Sequence, residues 1–180
     1  MHKNIGSALA LYPTPLVVVG VMAEDKPNWV LVGHLGIIGH DRIMVSLAQP
    51  HYTNKWIKEN KVLSVNIVSE DILKEADYVG SVSGNKVDKS GVFEYYIGES
   101  GAPVISKSPV VMECSVDDVY ETPNFESFIL KIDNTYVDEN CLNENGKIDY
   151  NVLKPVLFEF PTYSYLKTGE VIGKCLKLDK

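Results

Sequence analysis

The chain has 180 residues, with 17 Lys+Arg against 24 Asp+Glu for a formal net charge of −7, and is 45% apolar and 23% charged. That balance belongs to an ordinary soluble globular protein, and the acidic total argues against a general nucleic-acid binder, which needs a basic surface to neutralise phosphates. The longest clean apolar run, Leu16 to Met22, is far short of the roughly 20 residues a bilayer requires, and Met1-His2-Lys3-Asn4 is followed by no secretory pattern.

Leu16 to Met22 is a β-branched run bounded by Tyr12-Pro13-Thr14-Pro15 and by Asp25-Lys26-Pro27, which predicts a strand buried on both faces. Trp29 to Gly33 fits the return strand of a hairpin. Ile43, Val45 and Leu47 alternate with Met44, Ser46 and Ala48, so the next strand has one apolar and one mixed face. Thr53 is a good N-cap for a short helix over Asn54 to Asn60, with Trp56 and Ile57 packing inward. Val62 to Val68 alternates again. Ser69 or Asp71 can cap a second helix near Ile72 to Val79, with Gly80 as its stop. Val110 to Val116 and Phe125 to Ile132 predict a longer antiparallel pair. Glu139 to Asn151 is polar, carries an Asn145-Gly146 turn, and reads as a surface loop or hairpin. Val156 to Phe160 is placed as the strand that closes the sheet.

Many strands with only short helices between them predict a mainly β protein, a β-barrel with helical additions rather than a doubly wound parallel sheet. Without an internal repeat or a Pro/Gly-rich linker, residues 1–180 are expected to form a single domain. Cys114, Cys141 and Cys175 are odd in number and widely spaced, with no CxxC pair. Reduced thiols in a cytoplasm are the natural expectation, with Cys114 a small core residue.

Three segments carry candidate chemistry. Asp77 to Ser90 offers small residues, the hydroxyls of Ser81, Ser83 and Ser90, and the charges of Lys86 and Lys89. These suit a phosphate monoester, although GxxxxGK[ST] spacing is absent and a solvated loop after a helix is the plainer alternative. Ser46 to Thr53 is a strand that turns into a helix, where unpaired N–H groups and the helix dipole favour an anion; simple capping is the alternative. Gly33 to Asp41 has glycine at every third position but no GxGxxG, so close approach of a flat ligand or a neighbouring strand explains these glycines better than a dinucleotide loop. His34, His40, His51 and Asp41 lack an HExxH or HxH spacing, and no metal site is expected. No Gly-x-Ser-x-Gly elbow is present. A chain able to bind an anion and a ring, with no evident acid–base pair or nucleophile, suggests that a cofactor carries the reaction.

On several segments the sequence resembles the flavin reductase-like FMN-binding split-barrel proteins, in particular the flavoredoxin group. These are Tyr12 to Val19, Asn28 to Gly39, Ser46 to Thr53, Leu63-Ser64-Val65-Asn66-Ile67, Pro109 to Cys114 and Tyr163 to Gly173. Ser83-Gly84-Asn85-Lys86-Val87-Asp88-Lys89 is the most specific match, similar to the family's Ser-Gly-x-x-x-Asp-Lys loop. The chain departs from flavoredoxin-type relatives at Leu31 and His34, where they carry Thr and Trp, and at Ala48 and His51, where arginines are common.

The resemblance implies an antiparallel, Greek-key-like split barrel and a homodimer holding FMN near its interface. It places Trp29 to Ile38 along the isoalloxazine, and implies cofactor-binding roles for Val32, Gly33, His34, Ser46, Leu47, Ala48, His51, Tyr52, Thr53, Ser83 and Lys89. Tyr52, Tyr163 and Tyr165 are candidates to pack on the flavin or to serve as barrel and interface aromatics. The implied activity is a flavin reductase taking hydride from NAD(P)H and passing electrons to a free flavin, an iron complex or a redox protein. The alternatives are an FMN-binding electron carrier with no NAD(P)H site of its own and a related module binding haem. No side chain is assigned a catalytic role.

Overall fold

The computed structural model describes residues 1–178. Strands β1 (Thr14–Pro15), β2 (Val17–Ala23), β3 (Lys26–Val32), β4 (Leu35–Ile37) and β5 (Arg42–Ala48) come first, followed by helix α1 (Tyr52–Asn60). Then come β6 (Val62–Ile67), helix α2 (Leu73–Ser81), β7 (Tyr95–Ile97), β8 (Pro103–Ile105), β9 (Val110–Glu121) and β10 (Phe125–Val137). The single-turn α3 (Tyr150–Leu153), β11 (Leu157–Glu159) and β12 (Ser164–Leu166) complete the chain. Seven strands form one antiparallel sheet in the order β3-β2-β6-β9-β10-β5-β4. The sheet curls into a half-barrel, so the expected mainly β fold is present as a split barrel whose ends are β3 and β4.

The valine run explains the layering. Val17, Val19 and Val21 point into the barrel core with Ile43, Val45, Leu47, Leu63, Val65, Phe128 and Leu130, and Trp56 and Ile57 of α1 plug that core. Leu16 and Val18 point the other way, into a second core with Trp29, Ile72, Ala76, Val79 and Phe93, which seats α2 against the outside of the sheet. A strand buried on both faces reads as a continuous apolar run, as observed. Each such side chain stabilises the fold by about 1.5–3 kcal/mol relative to exposure.

Two motifs of the resemblance are structural fasteners. Buried Asn66 donates from Nδ2 to the Val18 carbonyl (2.9 Å), and its Oδ1 accepts from the Ile105 N–H (2.9 Å). Thus β6 is tied to β2 and to β8. Glu113, fully buried, accepts from the N–H groups of Ser100 and Ala102, from Asn134 Nδ2 and from the Tyr136 hydroxyl (2.8–3.2 Å). Burial pushes its carboxyl up, but these four donors more than offset that and hold it below the ordinary range.

Several local expectations are corrected. Thr53 is not the N-cap: the helix begins at Tyr52, with extended His51 (φ −67°, ψ 128°) in the cap position and no side-chain cap bond. Gly80 does not end α2, which runs through it to Ser81; a Cβ there would lie 2.8 Å from Leu31 Cβ, so the glycine lets the helix approach β3. The segment near Val156 forms β11, which pairs with β1 and β12 in a separate three-stranded sheet and does not close the main one. Glu139 to Asn151, by contrast, holds the hairpin that was one of its two expected forms, bridged between Leu142 and Ile148 around Gly146 (φ +68°).

Candidate functional site

Strand β3 ends at Val32 and β4 starts at Leu35, leaving Gly33 and His34 as a two-residue step in the chain. The step is pinned from both sides. The His34 carbonyl accepts from the Ser46 N–H (2.8 Å), and the Gly33 carbonyl accepts from the Thr14 hydroxyl (2.7 Å). Glycine is required at 33 because a Cβ would sit 2.6 Å from the Phe158 ring, so the neighbouring strand, β11, explains it. The His34 side chain meets Phe125 edge-on at 5.6 Å and Phe160 at 5.5 Å, while Nε2 shares a hydrogen bond with the Tyr12 hydroxyl (2.9 Å).

This step borders a cavity of about 240 Å³ lined by Leu31, Val32, Gly33, His34, Ser46, Leu47, Ala48, His51, Phe125 and Phe160. Seven of the expected residues therefore converge there: Val32, Gly33, His34, Ser46, Leu47, Ala48 and His51. Their contributions differ. Val32 and Leu47 border the cavity although they belong to the barrel core, at 4% and 2% exposure. Strand alternation turns Ser46 and Ala48 to the opposite face, and Ser46 Oγ is paired with Ser127 Oγ across the β5–β10 ladder (2.7 Å). Tyr12, Phe125 and Phe160 were not anticipated here. Tyr12 lies two residues before β1, Phe125 opens β10 and Phe160 directly follows β11, so strand patterning marks none of them as a site residue.

The start of α1 separates this cavity from a second of about 490 Å³, lined by Tyr52, Asn28, residues 23–27 and the loop 84–89. Gly84 lets that loop close, since a Cβ would lie 2.5 Å from Asn28 Oδ1 and 2.6 Å from the Tyr52 ring. Thr53 is buried, and its Oγ1 accepts from Asn28 Nδ2 (2.8 Å), leaving the hydroxyl hydrogen free to donate. The first N–H groups of a helix have no intrahelical partner, and His51 supplies no cap bond.

Lys89 is 4% exposed. Its ammonium donates to the carbonyls of Val79 (3.1 Å) and Val82 (3.2 Å) at the end of α2, and no carboxylate pairs with it among the described residues. Burial lowers its pKa to about 8. His51 is also held below its ordinary range, by burial and then by the Lys89 charge. Two carbonyls use two of the three ammonium protons, so Lys89 offers one more donor and a charge that no carboxylate among the described residues neutralises.

Ser83 does not join the group. It is exposed, and its Oγ accepts from the Asn85 N–H (3.3 Å), so it shapes the turn of its own loop. Tyr165 is held by Asp77 (2.5 Å) and packs on Phe158 against the second core, and Tyr163, 72% exposed, lies against Phe160. Cys114 is a core residue whose thiol burial pushes up to about 12. Among the described residues no helix is long and apolar enough to cross a membrane.

The arrangement fits a flavin mononucleotide on two counts. The smaller cavity has aromatic walls and two histidines, His34 and His51, on its lining, which suits a flat heteroaromatic ring. The unneutralised Lys89, the Thr53 hydroxyl and the start of α1 suit a phosphate.

A family model described as "Flavin reductase like domain" matches residues 9–166. Two solved structures are alike over the whole chain. The flavoredoxin from Methanosarcina acetivorans is 33% identical, covering 100% of this chain and 98% of that one with a TM-score of 0.94. The flavoredoxin of Desulfovibrio vulgaris (Miyazaki F) is 32% identical, covering 100% of both chains with a TM-score of 0.90. An FMN-binding protein from Thermus thermophilus with bound 1-cyclohex-2-enone is 19% identical, covers 97% of this chain and 100% of that one, and shares the fold (TM-score 0.83). No curated protein matches the chain.

Proposed function

Because the chain belongs to the flavin reductase-like domain family, we infer that it is a flavin-dependent oxidoreductase that holds FMN across the start of α1. The observation that carries this reading is the buried Lys89 ammonium, without a carboxylate partner among the described residues, lining the larger cavity across the start of α1 from the aromatic-walled one. In this reading Val32, Gly33, His34, Ser46, Leu47 and Ala48 border the ring and its side chain. His51 and Tyr52 flank it from the helix start. Thr53 and Lys89 hold the phosphate, and Ser83 keeps its loop in place beside them.

The chemistry FMN supplies when bound is uptake of a hydride equivalent from NAD(P)H and its release to a small-molecule or protein acceptor. The chain's own contribution is binding and orientation. Phe125 and Phe160 exclude water from one wall, His34 offers a hydrogen bond, and the pinned 33–34 step fixes where that bond points. Lys89 keeps its charge in a low-dielectric setting, where attraction to a phosphate is stronger than in water.

We also read residues 1–180 as one domain, and the molecule as a cytoplasmic homodimer. Support for the dimer comes from β4, a short end strand that closes on Ile37 (86% exposed) and is followed by Ile38 (50%), leaving two adjacent apolar side chains at the sheet's end. Light scattering measures the assembly.

Purification with FMN bound, followed by NAD(P)H oxidation with added FMN, tests the central reading. Turnover supports the reductase. A yellow protein inert to NAD(P)H but reduced by a protein donor supports the electron carrier in its place. A protein that takes up no FMN refutes both.

A further inference from the structure

The N-terminal segment reaches the cavity through two side chains. Thr14 holds the Gly33 carbonyl (2.7 Å), and Tyr12 holds the His34 imidazole through Nε2 (2.9 Å). The Tyr12 ring is stacked on Phe160 (6.2 Å between centroids, 18° between planes), so its hydroxyl is aimed by packing. His34 Nδ1 has no partner among the described residues, and neither does the Tyr12 hydroxyl apart from Nε2.

Those facts favour one arrangement of the protons. If Nε2–H donated to the phenol oxygen, the phenol hydrogen would have no acceptor among the described residues and would be left to solvent at this half-buried position. If the hydroxyl donates to Nε2, the imidazole carries its own hydrogen on Nδ1, and every proton between the two groups is placed.

We propose that Tyr12 is a positioning residue for the cofactor site: it holds His34 as the Nδ1–H tautomer, so that the cavity presents a directed donor to an acceptor atom of the FMN ring. The proposal rests on the reading that this cavity takes the ring. It deepens that reading by giving the N-terminal segment a part in the site. A lone histidine would exchange tautomers and rotate; the phenol removes both freedoms before the ligand arrives.

The test uses full-length, flavin-free, 15N-labelled protein, with imidazole proton–nitrogen correlations recorded under conditions where His34 is neutral and His34→Ala identifying the signal. Wild-type protein should show the Nδ1–H pattern. Tyr12→Phe keeps the stacked ring and removes only the hydroxyl, and should give a mixture of tautomers. Thr14→Val cuts the other tie of the same segment and should leave the Nδ1–H pattern in place.

In fluorescence titrations with FMN, Tyr12→Phe should weaken binding roughly two- to twelve-fold, the range of one net hydrogen bond. The same change made in His34→Ala protein should have no further effect. An unchanged Nδ1–H pattern in Tyr12→Phe, a mixture in Thr14→Val, or equal losses in both backgrounds would each overturn the proposal. Wild-type protein that shows the pattern but binds no FMN overturns the reading of the cavity instead.

Discussion

Raising the pH from 7 to 9 should weaken FMN binding about ten-fold through Lys89 alone. Burial, with only the Val79 and Val82 carbonyls for company, brings this lysine from its ordinary 10.5 down to about 8. At pH 7 the flavin-free protein holds the ammonium mostly charged; at pH 9 only about one molecule in ten does. A phosphate dianion favours the charged form, so above pH 8 binding must take up a proton, and affinity falls by up to about ten-fold per pH unit. Flavin fluorescence titrations between pH 6.5 and 9 measure this. Lys89→Met, of similar length and without charge, should bind more weakly at pH 7 and lose the slope. The flavin-free protein carries an opposite trend. Its native state binds fewer protons than the unfolded chain between pH 8 and 10.5, so stability rises with pH across that window, by up to about 3 kcal/mol. Cys114 works against this above pH 9, because its folded pKa of about 12 means only the unfolded thiol ionises there. The lysine's share is therefore the difference between wild type and Lys89→Met in urea melts. A slope of FMN affinity shared by both proteins, or absent from wild type, refutes the assignment of Lys89 to the phosphate.

Three further outcomes follow from the same geometry. Thr53→Val removes the acceptor of Asn28 Nδ2 inside the protein; urea denaturation should show a loss of about 1–3 kcal/mol, and FMN affinity should fall by roughly ten-fold or more. Glu113→Gln puts an amide among four donors that need an acceptor, and should lower stability at pH 7 by about 2–3 kcal/mol. Because the native Glu113 carboxyl lies below its ordinary 4.5, its stabilisation is complete above that value and disappears as pH falls through the native pKa; the acid limb should flatten in the variant. An aromatic disulfide reagent at neutral pH should titrate one thiol per native chain, since Cys175 is exposed while Cys114 and Cys141 are buried with their thiols pushed up. Modification of two or three without unfolding would contradict the packing.

The sheet was legible because burial leaves a local trace. The run through Val17 to Val21 is buried on both faces, the alternation of β5 is buried on one, and both periods stand in the sequence itself. Errors came where a local signal served a distant partner. Thr53 has the chemistry of a cap, but its oxygen is taken by Asn28, 25 residues earlier. Gly80 has the look of a helix stop, but its missing side chain makes room for Leu31. The β11 segment is apolar enough for the main sheet, yet β1 claims it. The phenyl walls went unseen for the same reason, because Phe125 and Phe160, the latter with Tyr12 stacked on it, are brought to the cavity only by folding.

The acidic character of the chain and an anionic cofactor are reconciled at one residue. With a net charge of −7, the protein as a whole repels a phosphate, so attraction must be local and little screened by solvent. Lys89 meets both conditions: it is buried, and no carboxylate among the described residues neutralises it. The cost falls on the empty protein, in which the buried ammonium destabilises the fold by as much as its lowered pKa implies. A hydrophobic side chain of that length would remove the penalty, which makes the lysine poor as a structural choice and useful as a binding one. Loading with a phosphate-bearing ligand should then raise the melting temperature more in wild type than in Lys89→Met, and most at pH 7, where the ammonium is charged before the ligand arrives. Inorganic phosphate should give a smaller rise with the same dependence on Lys89, whereas riboflavin, which has the ring without the phosphate, should give none that depends on it. A riboflavin shift abolished by Lys89→Met would place the lysine against the ring and reverse the division of labour between the two cavities.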